Sequence, residues 1–160
     1  MADDTGAGAV RWAGDDDVDE LVRLRRLMFE SMGIAVTDDD DASTAPVLAS
    51  GIRSGDFFAA VVDRGGGDRL AACGIGMVLR KVPAPGNPTG LSGYIGSMVT
   101  DHGHRRRGHA RAVLSALLHR FDDLGIQRIS LHATEVGAPL YVSEGFASPP
   151  NPELVRWTGH

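Results

Sequence analysis

The amino-acid sequence predicts an α/β fold of the α+β type, in which helices flank a central sheet. Three patterns support this prediction: an amphipathic helical segment near the N-terminus, two apolar runs joined by a glycine-rich turn, and a succession of strand, basic turn, long helix and strand. A chain of 160 residues is long enough for one domain that buries about two thirds of its unfolded surface. We therefore expect residues 1–160 to form a single domain, with residues 1–8 as a flexible tail.

The N-terminal third of the chain predicts a short strand and two helices. The strand covers residues 10–12, and the segment DDDVDELVRLRRLMFESMG follows it as an amphipathic helix with aspartates at its start and Gly33 after its end. The apolar face of this helix consists of Val18, Leu21, Val22, Leu24, Leu27 and Met28. A weaker helix is expected through STAPVLASGIRSG, with Ser43 or Thr44 as its cap. The acidic run before it, residues 38–41, is expected to be a solvated loop.

The middle of the chain predicts a β-hairpin. DFFAAVVD and RLAACGIGMVLRKV are apolar runs that flank RGGGD, a turn in which glycine adopts positive φ at little cost. PAPGNPTGLSG is expected to be a loop, because its prolines and glycines interrupt both helical and strand periodicity.

The C-terminal half predicts a parallel crossover. The strand YIGSMVT leads through a basic turn into a helix at residues 110–124, which stops at Gly125, and IQRISLHAT is the next strand. A connection of this kind places its two strands parallel in one sheet, with the helix packed against it. A short helix through APLYVSEG and a last strand after Phe146 complete the expected fold.

Composition excludes several classes of protein. The net charge of −5 argues against general attraction to nucleic acid, which needs an overall basic face. The single cysteine, Cys73, excludes an internal disulfide and a multi-cysteine zinc site, and fits a reducing compartment. No apolar stretch approaches the roughly 18 residues of a membrane span, and the N-terminus lacks the plan of a secretion signal. We therefore expect a cytoplasmic protein with no membrane or nucleic-acid partner.

The basic turn RRRGHA, at residues 105–110, is the strongest local exception to the acidic composition. It precedes a helix, and cations at a helix N-terminus are electrostatically unfavourable unless an anion is bound there. Gly108 lets the backbone approach such an anion, and a phosphate or pyrophosphate would fit. The turn matches neither GxxxxGK[ST] nor GxGxxG. His102, His104 and His109 lie in or beside it, but no carboxylate or cysteine spacing completes a metal site, so we predict no metal.

In its context this turn resembles a known family. RRRGHA matches the RxxGxA form of the acyl-CoA pyrophosphate loop in the GNAT superfamily of N-acetyltransferases, and PLYVSEGF is similar to the superfamily's LYxxxGF element. The order and spacing of the elements agree over roughly residues 94–146. The resemblance implies a mixed, mostly antiparallel central sheet with a parallel core. It also implies that acetyl-CoA is the cosubstrate and that a primary amine attacks it directly in a ternary complex.

The resemblance also implies roles for particular residues. The strand segment Met98, Val99 and Thr100 would pair with the pantetheine arm, and a backbone N–H there would face the developing oxyanion. This strand and ISLHAT would splay apart to admit the thioester. Tyr141 would be the general acid that protonates the leaving thiolate; the segment before it, HATEVGAPLY, lacks the asparagine that many members carry. The pyrophosphate would be wrapped by Arg105, Arg106, Arg107, Gly108, His109, Ala110 and Arg111.

The general base and the acceptor stay open in the sequence. Glu30, an aspartate of residues 38–41 and His132 are candidates for the base. The acidic segments favour a cationic amine as the acceptor, and small-molecule and peptide amines both remain candidates. A homodimer is also possible. Two other functions also remain: a catalytically silent acyl-CoA-binding or sensing module, and a nucleic-acid-binding protein.

Overall fold

A computed structural model describes residues 8–159 of the chain, so the tail expected at residues 1–8 lies outside the described residues except for Gly8. The strands are β1 (Val10–Trp12), β2 (Phe57–Asp63), β3 (Leu70–Arg80), β4 (Leu91–Thr100) and β5 (Ile129–Leu131). The helices are α1 (Val18–Ser31), α2 (Asp38–Ser54), α3 (His109–Asp123) and α4 (Ala138–Ser143). Short 3-10 turns cover Asp15–Asp17 and His102–His104.

The five strands form one sheet in chain order. The pairs from β1 to β4 are antiparallel, and β4 pairs with β5 in parallel through the crossover helix α3. The hairpin of β2 and β3 and the parallel crossover are both confirmed. The structure thus has the mixed, mostly antiparallel sheet flanked by helices that the sequence predicts.

Helices cover both faces of the sheet, and each face has its own core. Successive residues of β2 point to opposite sides, as the strand periodicity requires. Ala59 and Val61 pack in the core that includes α1 and α2, whereas Ala60 and Val62 pack in the core that includes α3. This separation places α1 and α3 on opposite sides of β4.

Helix α2 begins earlier than predicted. Thr37 caps it, accepting a hydrogen bond from the Asp40 backbone N–H, while the Asp40 carboxylate accepts one from the Thr37 N–H. The prediction of a solvated loop at residues 38–41, with Ser43 or Thr44 as the cap, is wrong. The four aspartates occupy the first turn, where negative charge interacts favourably with the helix dipole. Arg26 of α1 binds two of them through its guanidinium.

Three other boundaries differ from the sequence prediction. β4 begins at Leu91, inside the expected loop, and β5 covers only Ile129–Leu131 of the predicted strand at residues 126–134. Within residues 147–159 the structure has no strand, so the last strand predicted after Phe146 is wrong. The prolines of SPPNP lack the backbone N–H that a sheet ladder needs. No helix in residues 8–159 is long and apolar enough to cross a membrane.

A β-bulge interrupts β4 close to its C-terminal end. Cys73 pairs with Val99 and Ile75 pairs with Gly96, so β3 advances two residues while β4 advances three. Ser97, the first residue of the bulge, has a φ of +54°, which non-glycine residues rarely adopt. Pairing of β4 with β5 covers only Gly93–Ile95, and beyond that point the two strands separate.

The cap of α2 provides a stability test of this fold. Replacing Thr37 with Ala removes the oxygen that satisfies the Asp40 N–H, and we expect the free energy of unfolding to fall by about 1 kcal/mol. Thr44→Ala is the matched control, because Thr44 lies inside the helix, where alanine has the higher helix propensity. Urea denaturation would measure both changes. A larger loss for Thr44→Ala than for Thr37→Ala would contradict the observed helix start.

Candidate active site

A cleft of about 920 Å³ opens where β4 and β5 separate. Four parts of the chain line it: α1 from its middle to its C-terminal end, β4 from Tyr94 to Thr100, the turn before α3, and the segment from His132 to Tyr141. Residues 96–100 of β4 have β3 on one side and no strand on the other. Met98, Val99 and Thr100 therefore present an open strand edge to the cleft, and such an edge can hydrogen-bond an extended ligand chain.

The turn before α3 has the geometry of an anion site. Arg106 and Gly108 both have left-handed backbone angles, with φ of +62° and +79°. In the part of the chain that the structure describes, the backbone N–H groups of residues 109–111 have no hydrogen-bond acceptor. Alternating backbone conformations of this kind direct successive N–H groups into one concavity, and the helix dipole adds positive potential. The side of the cleft formed by this turn is therefore suited to a phosphate group.

The arginines of the turn have different environments. Arg105 and Arg106 line the cleft, whereas Arg107 does not. Arg111 also lines the cleft, but its guanidinium is turned toward α4, 2.5 Å from a carboxylate oxygen of Glu144 and in hydrogen-bond contact with Ser143. The structure thus brings all the predicted turn residues except Arg107 to the cleft wall.

Two histidines lie in the same positively charged region and report on its electrostatics. His104 and His109 both line the cleft, and the Nδ1 atoms of both are buried without a partner among the described residues. Loss of hydration, with the nearby charges of Arg64 and Arg107, lowers the pKa of His104. Loss of hydration, with His104 and Arg107, lowers the pKa of His109. Within residues 8–159, no group of three or more His, Cys, Asp or Glu side chains could hold a metal ion.

Tyr141 lines the cleft from α4, whose C-terminal end contacts Arg111 at the start of α3. Its ring is half-buried against Phe146, with a centroid distance of 6.1 Å and an edge-on angle. Burial raises the pKa of its hydroxyl, which therefore stays protonated at neutral pH. No hydrogen bond from this hydroxyl to another described residue is present. Thr134 accepts a hydrogen bond from the Gly137 N–H and so shapes the turn into α4, in the segment that lacks the asparagine.

A second polar pair lies across the β4–β5 gap. The Tyr94 hydroxyl on β4 is 2.7 Å from Nδ1 of His132, which follows β5, and Nε2 of His132 is 3.6 Å from a Glu153 carboxylate oxygen. Both Tyr94 and His132 line the cleft. The other candidates for a base, Glu30 and residues 38–41, do not line it. Tyr94 was not among the predicted site residues, although it opens the strand YIGSMVT.

Sequence reasoning also missed Arg25 and Ser97. Arg25 projects from α1 into the cleft, where its Nη1 donates to the Ser97 hydroxyl at 2.5 Å. Its guanidinium also stacks on Phe29, 4.9 Å from the ring centroid. Helical periodicity does not mark Arg25 as a cleft residue. Ser97 acquires its position from the bulge, which the strand pattern does not predict.

The cleft is lined by basic side chains and by no acidic ones among the described residues. Four arginines belong to its walls. The acidic segments that favoured a cationic amine lie elsewhere: Asp15 and Asp17 pair with Arg53 and Arg11. Residues 38–41 are occupied with the cap of α2 and with Arg26.

The fold and sequence match a known family. Residues 21–146 match the model of the acetyltransferase (GNAT) family. None of the curated proteins compared matches the chain.

Solved structures share this fold over nearly their whole length. A predicted acetyltransferase from Clostridium acetobutylicum, in a crystal structure with acetyl-CoA, is 23% identical with a TM-score of 0.84, over 92% of this chain and 95% of that one. A GCN5-related N-acetyltransferase from Ralstonia eutropha JMP134 is 29% identical with a TM-score of 0.77, over 92% and 97%. Glucosamine-6-phosphate N-acetyltransferase from Arabidopsis thaliana is 16% identical with a TM-score of 0.72, over 94% and 99%.

The histidines of the turn provide a test of the anion site. Loss of hydration, together with neighbouring positive charge, disfavours the imidazolium forms of His104 and His109, so their pKa values should lie below the ordinary value of about 6.5. A bound anion reverses this effect, and inorganic pyrophosphate should therefore raise both pKa values. NMR titration of the histidine ring signals would measure them, with His119 on α3 as the internal reference. Unchanged midpoints in saturating pyrophosphate would contradict an anion site at this turn.

Proposed function

This chain belongs to the acetyltransferase (GNAT) family, and on that premise we propose that it transfers the acetyl group of acetyl-CoA to a primary amine by direct attack in a ternary complex. The observation that carries the proposal is the cleft between β4 and β5, which joins an open strand edge to an anion-binding turn. A thioester with a long polar arm and a pyrophosphate needs both features. The proposal takes residues 1–160 as one catalytic domain, and the acceptor as a small-molecule or peptide amine.

The donor would lie along β4 with its pyrophosphate at the start of α3. The free N–H groups of residues 109–111 would bind the phosphate oxygens, and Arg105 and Arg106 would add charge. Gly108 matters here because a side chain would be strained at its left-handed φ and would stand between backbone and phosphate. The pantetheine arm would then pair with Met98, Val99 and Thr100, which have no strand neighbour on the β5 side.

The reaction needs a neutral amine and a protonated leaving group. The amine nitrogen attacks the carbonyl carbon, the carbonyl oxygen takes up negative charge, and a backbone N–H of the Met98–Val99 segment would stabilise that charge. The C–S bond then breaks, and the sulfur takes the proton of the Tyr141 hydroxyl. The position of Tyr141 on the cleft wall and its raised pKa support this role.

His132 would accept at Nδ1 the proton of the Tyr94 hydroxyl, and the Tyr94 oxygen would take up the proton that the attacking amine loses. An alkylammonium has a pKa of about 10.4, so a base or a water chain must remove a proton before attack. The hydrogen bond to Tyr94 holds the imidazole at the cleft, and Glu153 lies next to its other nitrogen. Of the three candidates for the base, His132 has the support of its position in the cleft.

Direct transfer is supported by the state of the single thiol. Cys73 is fully buried, and burial raises the pKa of its thiol to about 12. Its sulfur donates to the Ser97 carbonyl beneath the bulge. A thiol in this environment is a poor nucleophile, so an acetylated cysteine is not needed in the mechanism.

Tyr141→Phe tests the catalytic assignment. In a thiol-release assay with acetyl-CoA and a panel of primary amines, we expect the variant to lower kcat by about 10² or more, because general acid catalysis is lost. Its affinity for acetyl-CoA, measured by calorimetry, should be unchanged. Val142→Ala, at the next and exposed position of α4, is the control and should keep full activity.

Two other outcomes would contradict the proposal. Binding of acetyl-CoA without turnover of any amine would favour a silent acyl-CoA-binding module. Failure of acetyl-CoA to bind would exclude both the acetyltransferase and the silent acyl-CoA-binding module.

His132→Ala tests the base. We expect kcat to fall by about 10², and added imidazole to restore part of it by occupying the space of the lost ring. His119→Ala on the exposed side of α3 is the matched control, with no loss and no response to imidazole. An unchanged kcat for His132→Ala would assign proton removal to another group or to water.

A further inference from the structure

We infer that the acceptor carries an anionic group, a carboxylate or a phosphate, in addition to its amine, and that Arg25 binds this group. The inference rests on the proposed function, because it names the class of acceptor for the same cleft. It concerns a different wall of the cleft from the turn that would bind the pyrophosphate.

Arg25 differs from its neighbours on α1 in its partners. Arg23 pairs with Glu20 and Asp101, and Arg26 pairs with Asp38 and Asp41. Arg25 has no carboxylate partner among the described residues, although its side chain is about half buried. Its recorded contacts are one hydrogen bond to the Ser97 hydroxyl and the stacking on Phe29.

A guanidinium in this position has unused capacity to bind an anion. It has five N–H donors, of which one is used by Ser97, so an edge suited to a bidentate carboxylate or phosphate remains available. Stacking on Phe29 fixes the plane of that edge before any ligand binds. Burial of the unpaired charge is unfavourable, as its lowered pKa reflects, and an anionic ligand would offset this cost.

Arg25 lies on the side of β4 that is free for the acceptor. Ile95 packs in the core on the α3 side of the sheet, so its neighbour Tyr94 points to the α1 side. Arg25 reaches Ser97 on that same side. Tyr94, the partner of the proposed base His132, therefore lies close enough to the guanidinium for their charges to interact, and an amine at this base would place an attached anion near Arg25.

The rest of this wall supports an anionic acceptor over a cationic one. Apolar side chains of α1, its C-cap and β3 line the cleft together with Arg25, namely Met28, Phe29, Met32 and Met77. No acidic side chain within the described residues lines the cleft, so a second positive charge on the acceptor would find no counterion there. Glu153, which is 3.6 Å from Nε2 of His132, does not line the cleft.

Matched pairs of acceptors test this inference. The thiol-release assay would compare glycine, β-alanine and 4-aminobutyrate with their amides, and phosphoethanolamine with ethanolamine, with rates corrected to the neutral amine. We expect at least one anionic member to exceed its uncharged partner in kcat/KM by about tenfold or more. The carboxylate and phosphate arms distinguish the two kinds of anion.

Variants of Arg25 connect the preference to this side chain. Arg25→Met should remove the preference, so that kcat/KM for the anionic amine falls to about the value for its uncharged partner in the same variant, while the affinity for acetyl-CoA persists. Arg25→Lys should keep part of the preference, because it keeps the charge but loses the bidentate geometry. Arg120→Met, on the exposed side of α3, is a control with the same change in net charge. Circular dichroism and the melting temperature would verify the fold of each variant.

The outcomes separate this inference from the proposed function. Turnover of uncharged amines that equals or exceeds that of their anionic partners would overturn the role of Arg25 and leave acetyl transfer intact. The same holds if acetyl-CoA binds and no anionic amine in the panel is acetylated. A preference that survives in Arg25→Met would assign the anion to another group. Absence of acetyl-CoA binding would contradict the proposed function itself.

Discussion

The bulge at Ser97 is the constraint on which the cleft depends. One extra residue in β4 breaks the regular ladder with β3 and bends the strand, and pairing with β5 ends just before it, at Ile95. A regular β4 would continue its ladder with β5, and its polar edge would be consumed by the sheet. The strained backbone of Ser97 therefore lies where the paired part of β4 gives way to the open strand edge that lines the cleft. Regular pairing of β4 with β3 resumes on both sides of the bulge and holds the strained residue in place.

The same distortion organises the two sides of the cleft. On the α1 side, the Ser97 hydroxyl accepts the hydrogen bond of Arg25, and the Ser97 carbonyl accepts that of Cys73, which packs in the core on this same side. Beyond the bulge, β4 leads directly into the turn that precedes α3. The proposed donor and acceptor surfaces would therefore share one continuous strand, and their relative position would depend on backbone geometry more than on flexible side chains.

The parts of the fold that the sequence predicted correctly, such as the β2–β3 hairpin and the parallel crossover, are those whose signal is local. The basic turn and Tyr141 line the cleft, and both belong to short segments, RRRGHA and PLYVSEGF, whose pattern can be recognised from neighbouring residues alone. Residues 38–41 were misassigned because the rule for like-charge runs does not include the cap at Thr37 or a counterion from another helix. Arg25 could not be found for a similar reason. RLRR contains three arginines with the same helical propensity. Arg23 has a local partner in Glu20, but Asp101 beside Arg23 and Asp38 and Asp41 beside Arg26 come from other elements, and the sequence pattern does not show which arginine they meet.

The burial of Cys73 has a further consequence in an enzyme whose product is a free thiol. Coenzyme A released beside an accessible cysteine would form a mixed disulfide under oxidising conditions, and the cleft would be blocked by its own product. Cys73 lies directly beneath the bulge, yet its sulfur is sealed from solvent and held in the unreactive protonated form. Cys73 is the single cysteine of the sequence, so the thiol product meets no accessible cysteine in this chain with which to form such a disulfide.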